Sequence, residues 1–191
     1  MGKQGSFIKR CTDIIFSIII LILSFPILII SAIAIKLDSK GPVFFVQERT
    51  GLSGKPFKMF KFRGMVNNAL EIGPQLTQSN DPRVTRVGRF LRRTSIDEIP
   101  QVFNVLKGDM TLIGPRPEIT SITSLFNEEQ KKVFGYKPGI TGYSQINGRQ
   151  MLSPEERVKM EVDYYSKANF RSDLNIAIST FKVVLNNKGN I

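Results

Sequence analysis

The sequence predicts an α+β protein, mostly helical with one small β-hairpin, carried on an N-terminal membrane segment. Three observations predict this. A run of 22 residues without a charge extends from Ile14 to Ile35. A strand–turn–strand pattern follows it: VFFVQER, the turn TGLSGKP, then FKMFKFR. Beyond Asp81 come repeated helix-start signals, the clearest being the capping box Ser153-Pro154-Glu155-Glu156. The chain of 191 residues suits one compact domain with an appendage. Residues 1–38 are read as the membrane segment and 39–191 as a single domain.

The apolar run would be ~33 Å long as a straight helix, enough to cross a bilayer core. A cleaved signal peptide, a single straight span and a re-entrant helix are the competing readings. The run exceeds the usual 7–15-residue signal core. Pro26 removes a helix hydrogen bond near its middle, and Ser24 could satisfy a freed carbonyl. Lys3, Lys9 and Arg10 precede the run, and Lys36 and Lys40 follow it. The positive-inside tendency puts both flanks on one side. A helix broken near Ser24–Pro26 satisfies that tendency, and this re-entrant form is the expectation.

Composition narrows the chemistry. The formal charge is +11. Much of it lies between Arg49 and Arg93, where Arg49, Lys55, Lys58, Lys61, Arg63, Arg83, Arg86, Arg89, Arg92 and Arg93 face only Glu71 and Asp81. Such an excess points to phosphate partners: nucleotide, anionic lipid or nucleic acid. A solvated basic surface is the plain alternative. With no histidine and the single cysteine Cys11, an internal disulfide, a Cys/His zinc site and Ser–His or Cys–His nucleophile pairs are all excluded. A metal here would be Mg²⁺ or another oxygen-loving cation.

Asp81-Pro82 reads as a helix start, with Arg83, Arg86, Arg89 and Arg93 on one face and Val84, Val87 and Leu91 on another. A second helix is expected from about Asp97 to Leu106, and a helical stretch around 118–134. Another helix runs from the capping box to about Lys167, and an apolar segment from Asp173 to Leu185 would pack on the core or lie at a membrane surface. Gly51-Leu52-Ser53-Gly54-Lys55 is no Walker loop, because the glycine spacing is short and Pro56 replaces Ser or Thr.

Residues 94–101 read TSIDEIPQ. Ser95-Ile96-Asp97-Glu98 matches a capping box, and acids in a first turn are ordinary. Pro100 argues otherwise. With Ser95 as N-cap it would be the fifth helical residue, where its missing N–H begins to cost stability. Starting the helix at Asp97 places that carboxylate at the positive end of a helix, close after Arg92 and Arg93. There it should stay ionised, and it could serve as a nucleophile on phosphorus or as a Mg²⁺ ligand.

In order along the chain stand KRCTDIIFS, IKLDSKGPVFFVQERTG, GKPFKMFKFRGM, DPRVTRVGRFLRRTSIDEIPQVFNVLKGDMTLIGPRPE, KPGITGYSQINGR and DYYSKANFRSDLNI. Together they resemble the bacterial sugar transferases, the monotopic polyprenyl-phosphate phosphoglycosyl transferases. The resemblance implies a re-entrant membrane helix and a cytoplasmic catalytic domain, with amphipathic interfacial helices, on the inner leaflet of the bacterial inner membrane. It implies transfer of a phosphosugar from a UDP-sugar to undecaprenyl phosphate, with release of UMP and a requirement for Mg²⁺. Its partners would be those substrates and membrane lipids, with no nucleic acid. Carried over by position, Asp97 is the nucleophile and metal ligand and Glu98 its partner acid. Arg92, Arg116 and Arg149 bind phosphate and nucleotide sugar, with Lys61 and Arg63 as further candidates. Two departures stand out: Phe25 separates Ser24 from Pro26, and Gly64 stands where serine is common. A membrane-anchored basic module without catalysis is the alternative.

Overall fold

The computed structural model describes residues 7–78, 80–148 and 152–185. The chain is mostly helical, as the sequence predicts, and besides the hairpin it has a second two-stranded sheet that the sequence did not predict. Helix α1 (Phe7–Asp38) holds the apolar run. It continues through Pro26 without interruption, where a break was expected. Ser24 Oγ donates to the Ile20 carbonyl at 2.6 Å, whereas the carbonyl that Pro26 leaves without its helical donor is that of Ile22. The serine therefore reinforces the turn before the proline, a bond that commonly accompanies helix bending. Asp13, Ser17, Ser24, Ser31 and Ile35 form the buried face of α1. Their spacings of four and seven hold them within a stripe of ~40°. Ile22, Leu23, Phe25 and Ile30 around the rest of the helix are exposed.

Both ends of α1 are fastened to the same domain. At the start, Lys9 Nζ reaches the Ile113 carbonyl at 3.2 Å and Asp173 at 2.6 Å. Arg10 donates to the carbonyls of Val105 and Leu106 at 2.5 and 2.8 Å. Those two carbonyls end helix α3 (Val102–Lys107), where a cation complements the helix dipole. Asp13 accepts from Thr111 Oγ1 at 2.7 Å and from the Leu112 amide at 3.2 Å. At the far end, Asp38 accepts from the Val87 amide at 2.9 Å, in the first turn of α2 (Arg86–Thr94). Ile35 packs there with Phe62 and Leu91, flanked by Leu28, Ala32 and Ile96.

The predicted hairpin is present. Strands β1 (Phe44–Thr50) and β2 (Pro56–Phe62) pair antiparallel, with Phe44 opposite Phe62 and Thr50 opposite Pro56. Helix α2 begins later than Asp81-Pro82 suggested: Thr85 Oγ1 caps it by accepting from the Gly88 amide at 3.0 Å. Asp81 instead grips Arg83, whose guanidinium also holds the Ala69 and Pro74 carbonyls at 2.7 and 2.8 Å. Arg83 thus leaves the expected arginine face and staples the irregular segment 64–85. Arg86, Arg89 and Arg93 keep that face exposed.

Strand β3 (Thr111–Ile113) pairs in parallel with β4 (Gly139–Thr141). Glycines let the backbones meet: a Cβ on Gly139 would lie 2.1 Å from the Gly114 nitrogen, and one on Gly142 2.1 Å from the Gly114 carbonyl oxygen. Between these strands the expected continuous helix over 118–134 is divided. It comprises α4 (Thr120–Thr123), α5 (Glu128–Lys131) and a 3₁₀ turn over Lys132–Gly135. A short α6 (Tyr143–Ile146) follows β4. The Ser153 capping box opens α7 (Pro154–Tyr165) as expected, and α7 ends slightly before Lys167. Helix α8 (Phe170–Leu185) buries Ile176 and exposes Leu174, Ile178 and Phe181.

The glycine crossing gives a direct test. Gly142→Ala should destabilise the fold by about 1–3 kcal/mol, because its Cβ meets unyielding backbone. Gly135→Ala, with nothing within 4 Å of the new Cβ, should leave the melting temperature within a degree or so of wild type.

Candidate active site

The site is built around a tight turn. Ser95 ends α2 in the left-handed conformation, at φ 59°. A serine there carries local strain, and such strain concentrates where function needs a fixed geometry. A 3₁₀ helix over Ile96–Gln101 follows and leads directly into α3. The expected α-helix from Asp97 therefore begins only at Val102. Pro100 is buried in this 3₁₀ turn. Neither half of the S-x-x-E capping box forms: the Ser95 side chain makes no cap bond, and Glu98 reaches elsewhere.

Glu98 Oε1 receives Lys61 Nζ at 2.9 Å and faces Arg116 Nη1 at 3.6 Å. Lys61 comes from β2, and Arg116 from the loop Gly114-Pro115-Arg116-Pro117-Glu118 after β3. One carboxylate thus joins three separate segments. Asp97, by contrast, enters no ion pair within 4 Å among the described residues. Burial pushes its pKa up to about 6, and the neighbouring Glu98 charge adds to that. Lys61, Arg92 and Arg116 pull it back down. The sequence led us to expect an ordinary ionised carboxylate. The structure gives one that is partly desolvated and whose pKa is raised, by burial above all, to about 6.

Of the carried-over residues, Asp97, Glu98, Lys61 and Arg116 are in one cluster. Arg92 stands at its edge, close enough to stabilise the Asp97 charge, with its Nη2 donating to Thr77 Oγ1 at 2.8 Å. Arg63 is elsewhere. Its buried guanidinium donates to the Ser39 and Lys40 carbonyls, each at 2.8 Å, and ties the segment just after α1 to the end of β2. This placement makes Arg63 a structural clamp rather than a member of the carboxylate cluster. Arg149 lies outside the described residues.

Sequence reasoning missed the cluster's supports. Arg49 donates to the Pro117 carbonyl at 3.2 Å and to Gln47 at 2.6 Å, and its pKa falls to about 10 through burial and repulsion from Arg116. Glu118 forms a buried pair with Arg157 at 2.8 Å. Glu161 accepts from the Arg116 amide at 3.4 Å. Arg157 and Glu161 share the inner face of α7 with Val158, Val162 and Tyr165. Two charges at apolar-stripe positions, one turn apart, were the available signal. Burial works against the Arg116 charge, but Glu98, Glu118, Asp97 and Glu161 together outweigh it and raise its pKa. For Lys61 burial wins, and its pKa is lowered despite Glu98.

No group of three or more Asp, Glu or Cys side chains is arranged for a metal among the described residues. Mg²⁺ commonly needs only one or two carboxylates, completing its shell with water and substrate phosphates. Asp97, without a cation paired to it, has the chemistry for that part. A basic, partly buried cluster in which Asp97 has no ion pair among the described residues is chemically suited to an anionic diphosphate and to nucleophilic attack on phosphorus.

Comparison with known proteins identifies the family. The bacterial sugar transferase family matches residues 4–187. The UDP-N-acetylgalactosamine-undecaprenyl-phosphate N-acetylgalactosaminephosphotransferase of Aeromonas hydrophila is 41% identical across 96% of this chain and 45% of its own length. The UDP-glucose:undecaprenyl-phosphate glucose-1-phosphate transferase of Escherichia coli is 44% identical, across 94% of this chain and 40% of its own. The uncharacterized sugar transferase EpsL of Bacillus subtilis is 40% identical, across 95% of this chain and 89% of its own length. The chain thus spans less than half the length of the two transferases with named substrates, and most of EpsL. With a match over almost its whole length and a carboxylate pair set among lysine and arginine, the chain belongs to the bacterial sugar transferase family.

Proposed function

We propose that this protein transfers a phosphosugar from a UDP-sugar to undecaprenyl phosphate at the inner face of the bacterial inner membrane, releasing UMP. The observation that carries the reading is the unequal treatment of the two adjacent acids. Glu98 is neutralised by Lys61 and Arg116, while Asp97 keeps its charge in a partly desolvated place. Desolvation raises the basicity of a carboxylate, which suits a nucleophile. The relatives' named reactions, on UDP-sugars and undecaprenyl phosphate, add to it.

In the mechanism, an Asp97 carboxylate oxygen attacks the sugar-side phosphorus of the diphosphate. A new P–O bond forms as the bond to the bridging oxygen breaks, and UMP departs with that electron pair. A phosphate oxygen of the lipid then attacks the same phosphorus, displacing Asp97 and restoring its carboxylate. The product is a lipid diphosphate sugar. Arg116 and Lys61 balance the gathered negative charge, and Arg92 approaches from the α2 side. Mg²⁺, held by Asp97 with substrate phosphate oxygens, would screen the charge on the diphosphate. Glu98 positions the two cations, so its work differs from that of Asp97.

The placement at the membrane has its own support. Lys9, Arg10 and Asp13 at one end of α1, and Asp38 at the other, bind the same domain, while the apolar middle is exposed. A straight span would carry one end to the opposite side. The proposed form is a re-entrant helix that bends at Pro26 and leaves by the face it entered. Exposed Phe90, Phe103, Leu174, Ile178 and Phe181, beside exposed Arg86, Arg89 and Arg93, suit interfacial helices against anionic headgroups.

Asp97→Asn should abolish UMP release from UDP-sugars while the protein stays folded and membrane-bound. Its melting temperature at pH 7–8 should equal or exceed that of wild type, because a charge disfavoured by burial is removed. UMP release by this variant at the wild-type rate would refute the nucleophile, and release of UDP by wild type would refute phosphosugar transfer. Since the ionised carboxylate is the attacking form, turnover should fall as pH drops through about 6. The stability effect has the opposite sign. With the folded pKa raised, stability gained below the unfolded value near 4 is lost as pH rises through about 6. For topology, a tag at Gly2 should be labelled only from the cytoplasmic side, and labelling solely from the periplasm would overturn the re-entrant helix.

A further inference from the structure

Glu161, on α7, lies in the interior, 2% exposed. Its Oε1 accepts three bonds, from Ser144 Oγ at 2.5 Å, the Ser144 amide at 3.3 Å and the Arg116 amide at 3.4 Å. Its Oε2 is buried and makes no hydrogen bond among the described residues. Ser144 opens α6 within the glycine-rich stretch 139–148, and Arg116 stands in the Gly114–Glu118 loop. One buried carboxyl group therefore ties together the two loops that cross at Gly114, Gly139 and Gly142. A carboxyl with an unsatisfied buried oxygen is expensive to keep for packing alone. Nothing in the bond-making steps above requires it.

We propose that Glu161 is a positioning residue that sets, by its own protonation state, how strongly Arg116 is available to the substrate diphosphate. The inference rests on the functional reading above, in which Arg116 binds that diphosphate. When ionised, Glu161 adds to the pull on the Arg116 charge, after the larger pulls of Glu98, Glu118 and Asp97. When protonated, its Oε1 still accepts the loop amides, so the loops stay in place while one competing negative charge disappears. Burial, the largest influence, pushes the Glu161 pKa up to about 7, against the Ser144 and Arg116 bonds that lower it. The surrounding groups do not mask this. Tyr164 and Tyr165 on the same helix both have raised pKa values through burial and remain neutral. Asp173 on α8, beyond them, is paired with Lys9.

The test uses the full chain carrying Asp97→Asn, which removes both turnover and the other carboxyl that titrates nearby. Binding of UDP-N-acetylgalactosamine is measured from pH 5.5 to 8.5, a range in which its diphosphate does not change charge. The expected result is affinity that tightens roughly fivefold or more as pH falls, with a midpoint near 7. Adding Glu161→Gln, which resembles the protonated acid, should give tight binding that no longer varies with pH. A midpoint near 7 that survives Glu161→Gln overturns the proposal, as does pH-independent binding before that change. If the glutamine variant does not fold, Ser144→Ala serves instead: losing the bond that lowers the Glu161 pKa should move the midpoint upward, and an unmoved midpoint overturns the proposal. Failure of the wild-type chain to bind the probe or UDP-glucose at any pH would instead overturn the functional reading, and this inference with it.

Discussion

The contact that organises this molecule is Glu98 held between Lys61 and Arg116. Lys61 belongs to the hairpin, Glu98 to the 3₁₀ turn after α2, and Arg116 to the loop after β3, segments far apart in sequence. Without the glutamate, two partly buried cations would repel each other across a dry space, a cost that only a counter-charge or substrate can offset. With it, part of that repulsion is offset before any substrate binds. Asp97 is left as the acid of the pair without a salt bridge among the described residues.

The fold holds that contact from outside. Ile96, next to Asp97, packs on the cluster of Ile35, Phe62 and Leu91, so the end of α1 forms the wall behind the turn that holds Asp97. Asp38 reaches the first turn of α2, and Arg10 closes the last turn of α3. The turn between those helices is thereby fixed relative to α1 at both ends. Arg49, Arg157 and Glu118 do the equivalent for the Arg116 loop. In the proposed reaction, whose acceptor keeps its tail in the bilayer, this coupling would hold the reacting phosphorus at a fixed height above the lipid.

Much of this was legible from residues alone. The hairpin, the capped α7 and the apolar segment all follow from local patterns, which depend on neighbours a few positions away. The readings that failed depended on distant partners. Asp81 has the sequence of a helix cap, but the Arg83 guanidinium and the carbonyls of Ala69 and Pro74 define its surroundings. Ser95 and Glu98 have the spacing of a capping box, yet Lys61 and Arg116 offer the glutamate stronger partners than a backbone amide does. Arg63, two residues from Lys61, goes to the segment just after α1. Glu161 left only a faint trace, a charge on an apolar stripe, because its partners come from loops with no periodic signature.

The central claim is that Asp97 itself carries the phosphosugar. The most direct measurement is the intact mass of the purified protein after brief mixing with a UDP-sugar and Mg²⁺ in the absence of lipid acceptor. The account predicts an added mass equal to one sugar phosphate. That mass should map to the peptide containing Asp97, disappear on addition of undecaprenyl phosphate and be absent from Asp97→Asn. Turnover with acceptor in a protein that never acquires that mass, or acquires it on another residue, would contradict it.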